Sequence, residues 1–239
     1  MPDQDDQPGT AVDIGAALRD ALGQLGAAFA ADELAYLTVT SKVEGPVRDR
    51  LAWALQTTLG SDFVVAREYR RADLAVLTAT GTLVAQVEAK VLCTFNAVNE
   101  ADRARYLGYL VKDAHKMTTL PPSDHFLLSI VFDVRGDIPS EPAGVVKYAA
   151  YINRCAKAHP DGGVRAAARE RWLDGLTTDF NAPTTLHPID AGQVWGLGIS
   201  VDCFLTGPLP TPSPDGVKQL VQERALRCAH PGMDPITDP

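Results

Sequence analysis

Asp73, Glu88 and Lys90 are the residues of this chain whose types and spacing amount to a chemistry. They fall in two strand-like runs, Asp73 to Thr78 (DLAVLT) and Leu83 to Val91 (LVAQVEAKV), joined through the tight-turn signal Thr80-Gly81. A hairpin centred on that turn sets Asp73 opposite Glu88. Side chains directly opposite have Cβ atoms about 5 Å apart, and like charges there are destabilising, so an acid pair in this position requires a reason. A divalent cation is the simplest one: hard carboxylate oxygens from two strands form half of a magnesium site, which waters and a substrate phosphate complete. Lys90 follows Glu88 by two residues, so the period-two geometry of a strand points it to the same face. An ammonium beside a metal-bound water favours hydroxide, orients it for in-line attack on phosphorus and offsets charge in the transition state. The chemistry expected of the trio is phosphodiester hydrolysis. The alternative is an ordinary hairpin on which Glu88 and Lys90 are a solvated acid and base.

The elements that would position the trio are legible as changes of hydrophobic period. A helix is expected from Pro46, whose fixed φ suits a first turn, to Leu59, with Val47, Leu51, Ala54, Leu55 and Thr58 on one face. A strand from Phe63 to Glu68 precedes the other two, and three strands in so short a stretch make an antiparallel meander. A helix from about Asn99 to Met117 follows. The run His125 to Asp133 (HFLLSIVFD) is apolar enough to be a strand buried on both faces.

At these residues the sequence resembles the PD-(D/E)XK nuclease superfamily, whose pattern is an acid opening one strand and acid-x-Lys on the next, here Asp73 (ADLAVL) and Glu88-Ala-Lys90 (VEAKV). The resemblance covers roughly Glu44 to Asp133 and implies an α/β, restriction-endonuclease-like core of order α-β-β-β-α-β, a central mixed sheet flanked by helices. It further implies Mg2+ as cofactor, with Mn2+ as a substitute, held by Asp73, Glu88 and the backbone carbonyl of Ala89, and Lys90 acting on water. Ala72 stands where the pattern has Pro. Similar nucleases carry a further acid before the first helix, the position of Glu44. Ser41 to Glu44 also fits a capping box, and both readings stay open.

The function expected is DNA phosphodiester hydrolysis by a restriction or defence-type endonuclease. An exonuclease or repair nuclease, RNA as substrate, and a non-catalytic binding module on the same fold are the alternatives. A homodimer and partner proteins of such a system are expected by analogy. Phosphate contacts are expected from Arg67, Arg70 and Arg71, just before Asp73, and from Arg105, Lys112 and Lys116, which with Tyr109 form a stripe on the following helix. Solvated turn and helix charges are the competing account of both groups.

The rest of the chain bounds this reading. Its 239 residues suit one large domain, and 46% hydrophobic with 22% charged residues is a globular composition. The net charge of -8 opposes polyanion binding, but its distribution does not: Lys42 to Lys157 holds 15 basic against 13 acidic residues, leaving 7 against 17 elsewhere. No apolar run reaches a membrane span, and a basic, apolar leader is lacking, so a cytoplasmic location without membrane contact is expected. Four scattered cysteines suit reduced, buried thiols. The five histidines show no ligand spacing, and Trp53, Trp172 and Trp195 read as packing residues. Residues 1–10 read as a disordered tail and residues 11–206 as the nuclease domain. Within that domain one helical extension is expected from Ile14 loosely to Tyr36, helices around Val145 to Ala158 and Val164 to Leu176, and one long strand from Gln193 to Thr206. Residues 207–239 read as a Pro-rich linker, short helix and tail.

Overall fold

The computed structural model describes residues 12–118, 123–138, 143–159 and 163–210. The tail expected over 1–10 and most of the linker, helix and tail expected beyond 206 lie outside them. Seven helices and six strands are described: α1 (Ile14–Gln24), α2 (Glu33–Thr40), α3 (Glu44–Leu59), β1 (Phe63–Tyr69), β2 (Ala72–Thr78), β3 (Leu83–Cys93), α4 (Thr94–Val98), α5 (Glu100–Met117), β4 (Asp124–Arg135), α6 (Ala149–Ala158), α7 (Val164–Phe180), β5 (Thr184–Val194) and β6 (Leu197–Thr206).

The strands form one six-stranded mixed sheet of order β1-β2-β3-β4-β6-β5. The meander β1-β2-β3 is antiparallel, β4 joins β3 in parallel, and β6 and β5 complete the far side antiparallel. The parallel step needs a crossover, which α4 and α5 supply. Between β3 and β6, β4 has both its neighbours, and its run from His125 to Asp133 is buried throughout, as continuous hydrophobicity requires.

Alternation along the strands gives the sheet two unlike faces. Val87, Ala89 and Val91 of β3, Phe126, Leu128 and Ile130 of β4, and Ile199, Val201 and Cys203 of β6 join one apolar core with α1, α2 and α3. The opposite face packs on α5 and α7 through Leu92, Leu127, Val131, Phe204 and Trp172. It also carries the polar members of the same strands, Glu88, Ser129, Asp133, Ser200 and Asp202, all buried.

Several expectations need correction. The segment Gln193 to Thr206 is not one strand: Trp195 and Gly196, at φ 51° and 79°, make a two-residue hairpin turn, and β5 precedes it. Pro188, Asp190 and Gly192 hid β5, because they read as loop residues; an edge position and a bulge between Asp190 and Gly192 accommodate them. The N-terminal helix breaks over 25–32, where Asp32 sits at φ 62°, before α2 restarts. Glu44 and Gly45 precede Pro46 within α3, and its N-cap is Val43, so no capping box forms; Ser41 Oγ instead donates to the carbonyl of Leu37 at the end of α2. Trp53 is 72% exposed and packs no core. Trp195 meets Tyr36 edge to face, and Trp172 is fully buried.

Cys93, Cys155 and Cys203 are free and buried. Among the described residues no helix is long and apolar enough to cross a membrane. Trp172 anchors α7 with its indole Nε1 lacking a hydrogen-bond partner, so its contribution is packing alone. Trp172→Ala should therefore cost about 3–5 kcal/mol in urea unfolding, and Trp172→Phe, which loses no hydrogen bond, less than half of that.

Candidate active site

The β2–β3 ladder has the register expected of it, Leu74 with Val87, Ala75 with Gln86 and Val76 with Ala85, before a bulge at Val76/Leu77 shifts the rest. Continued by one residue, this register sets Asp73 beside Glu88. The carboxylate of Asp73 then takes a backbone role as well, since Oδ2 accepts from the Ala89 N–H at 2.8 Å.

Glu88 is only 3% exposed. Its Oε1 accepts from Lys116 Nζ at 2.7 Å, a side chain that α5 lays against β3. Burial pushes the Glu88 carboxyl up to about 7, with Asp73 and Asp113 pushing the same way and Lys116 opposing. Lys90 lies 2.8 Å from Asp113 Oδ2. Burial works against its ammonium, but Asp113, Glu44 and Glu88 outweigh burial and hold its pKa above the ordinary value. Lys90 is therefore a fixed cation and no proton acceptor at neutral pH.

Glu44, in the first turn of α3, accepts from Lys42 Nζ at 2.8 Å through Oε1, while its buried Oε2 has no hydrogen-bond partner. One helical turn on, Arg48 places Nη1 3.1 Å from Glu68 Oε1 and 3.6 Å from Asp73 Oδ1. The structure thus gathers Glu44, Asp73, Glu88 and Lys90 from α3, β2 and β3, and adds Asp113, Lys116 and Arg48.

Of the basic residues expected at phosphate, Lys116 is inside this cluster on Glu88. Arg67 pairs with Asp49 at 2.8 Å and Arg105 with Asp102 at 2.6 Å. Arg70 and Arg71, at φ 49° and 76°, form the exposed β1–β2 turn, where Arg70 lies over the Tyr69 ring. Lys112 is exposed on α5. Asp113 and Arg48 went unread in the sequence, although both left a signal. Asp113 falls between Leu110 and Met117 on the buried stripe of α5, where an acid needs a partner. Arg48 follows Glu44 by four residues, hence on the same helix face.

Among the described residues no three His, Cys, Asp or Glu side chains close around a point as a ready metal cage. Magnesium asks for less, since one or two carboxylates suffice when water and phosphate complete its octahedron. Two adjacent carboxylates, one of them buried, fit that open kind of site, and Glu44, whose charge reaches Lys90, borders it. A strong cage for a bare ion is not what they form.

The chain matched no protein-family model, no curated protein and no solved structure.

The raised carboxyl of Glu88 fixes the sign of a pH effect. The folded protein holds this proton up to about pH 7, whereas the unfolded chain releases it near the ordinary glutamate value of 4.5. Its contribution to stability is full below the lower value and is lost as pH rises through the upper one. Glu88→Gln should remove that decline, seen as a flatter dependence of the urea midpoint on pH across this window in metal-free buffer.

Proposed function

We propose that this chain is a Mg2+-dependent nuclease that hydrolyses DNA phosphodiester bonds, of restriction or defence type, built on a PD-(D/E)XK core. The observation that carries the reading is the adjacency of Asp73 and Glu88 across β2 and β3, with Lys90 two residues further on the face of Glu88. The order α3-β1-β2-β3-α5-β4, antiparallel to β3 and parallel from β3 to β4, is consistent with that core, α4 being a short addition.

In this reading Asp73, Glu88 and the carbonyl of Ala89 hold the ion, and Glu44 contributes its unpaired oxygen as a ligand or orienting acid. Bound Mg2+ supplies positive charge to the phosphate oxygens and acidifies a coordinated water. Lys90, kept charged by Asp113, orients the attacking water and stabilises the negative charge that gathers in the transition state. Asp113 acts through Lys90 and is a positioning residue. Lys116 and Arg48 stand against the two acids in the metal-free protein, and releasing them makes both cations available to the phosphate backbone.

The same contacts favour a second reading. With Lys116 on Glu88 and Arg48 near Asp73, the protein's own cations balance the acid pair, which suits a module that binds nucleic acid or a protein without cutting.

Plasmid cleavage with Mg2+ and with EDTA distinguishes the two. Asp73→Asn, which keeps an oxygen for the Ala89 N–H, and Lys90→Ala should each lower the cleavage rate by at least about a hundredfold. Cleavage that persists in both variants rejects this centre, and tight DNA binding without cleavage by the unaltered protein favours the module.

A further inference from the structure

The α5/α7 face of the sheet carries a second group of charges that the proposed metal centre leaves unused. Asp202 on β6 is 1% exposed and receives two arginines from the start of α7. Arg165 donates from Nε to Oδ2 at 3.0 Å and from Nη2 to Oδ1 at 2.7 Å. Arg169 donates to the same oxygens at 2.8 and 2.7 Å. One guanidinium already satisfies a carboxylate in bidentate fashion. The second sets two like charges at i and i+4 on one helix, opposed by Asp202 at contact and by Asp133 at longer range, and with Arg135 three guanidiniums stand against these two carboxylates. A guanidinium has five N–H groups, of which each arginine uses two on Asp202. Among the described residues neither has another acceptor, and their side chains remain 25% and 34% exposed.

A second observation points to a ligand at the same place. β3 and β4 run parallel and end at Cys93 and Arg135, and open α/β sheets bind ligands at the carboxyl ends of such strands. Asp133 sits at that end, 1% exposed. Its Oδ1 accepts from Thr94 Oγ1 at 3.2 Å, whereas Oδ2 is buried without a hydrogen bond, its nearest cation being Arg135 Nε at 3.8 Å. Burial pushes this carboxyl above its ordinary value, against the opposing pull of the Thr94 hydroxyl, Arg135 and Arg165. Arg165 also stands in the first turn of α7, where the helix dipole favours negative charge.

We propose that Arg165 and Arg169, clamped by Asp202 and flanked by Arg135 and Asp133, form a phosphate-binding site separate from the Asp73–Glu88–Lys90 cluster. Its ligand is a phosphate mono- or diester, taken by the guanidinium edges that Asp202 leaves free. Asp202 pairs with Val131 and Val131 with Leu92, four residues along β3 from Glu88. At ordinary strand spacings this places the two sites about 16 Å apart, a span that a few nucleotides of one strand cover. The site stands on its own contacts and does not require the metal centre.

The test is isothermal titration of the full chain in EDTA, where cleavage cannot intervene, with inorganic phosphate and with a short single-stranded oligodeoxynucleotide bearing or lacking a 5′-phosphate. Arg165→Lys and Arg169→Lys keep the charge and the ion pair with Asp202 but lose the planar fork, and each should weaken phosphate binding at least about tenfold with an unchanged circular-dichroism spectrum. Preference for the 5′-phosphorylated strand assigns the site to a strand end, equal binding of both strands to the diester backbone, and binding of inorganic phosphate alone to a small phosphate ester; all three support it. Failure of all three ligands to bind, or lysine variants that bind like the unaltered protein, overturns it. Should a lysine variant fail to fold, Arg135→Gln at the exposed rim decides instead, and unchanged affinity there overturns the proposal.

Discussion

A carboxylate taken out of water must meet a cation or give up its charge, and three acids on one face of this sheet respond to that constraint differently. Asp202 meets two arginines, which overcome burial and hold its carboxyl below the ordinary value. Glu88 has one lysine, and burial beside Asp73 still lifts it to about 7. Asp133 has only a threonine hydroxyl within hydrogen-bonding distance and is pushed upward. The cations come from α5 and α7, so the helices that cover this face are also its counterions. Their placement depends on those pairs as well as on the apolar contacts of Trp172, Leu107 and Leu110.

The division of labour between the faces follows. The α1–α3 side takes one alternate set of residues from every central strand, nearly all apolar, and has the character of an ordinary core. The α5/α7 side has an apolar cluster of its own, and among those residues it also carries buried polar groups. Buried acids of this kind are poor contributors to folding, because desolvation cancels much of what their partners return. Their presence is a functional signal, strongest where the carboxyl pKa is most displaced.

The meander, its hairpin register and the two-sided burial of β4 could be read from the sequence because each rests on local periodicity and one turn signal. Asp73 and Glu88 could be placed beside each other for the same reason. What stayed hidden depends on contacts far along the chain. Asp113 and Lys116 acquire meaning only when the crossover lays α5 on β3, and a sequence stripe assigned Lys116 to solvent-facing phosphate contacts instead. Asp202 with Arg165 and Arg169 joins β6 to α7, and nothing in either segment alone links them. β5 was lost because an edge strand tolerates Pro188 and Gly192, residues that a central strand would reject.

The connectivity of β4 also has a consequence for synthesis. Its partner on the far side is β6, from Arg135 with Gly198 to Leu127 with Thr206, so the second neighbour leaves the ribosome only roughly sixty to eighty residues later. Until then a nascent chain presents an open edge of nine consecutive apolar-rich residues, the kind of surface on which growing polypeptides associate wrongly. The exposure lasts as long as synthesis of residues 136–196 takes, so slower elongation there lengthens it.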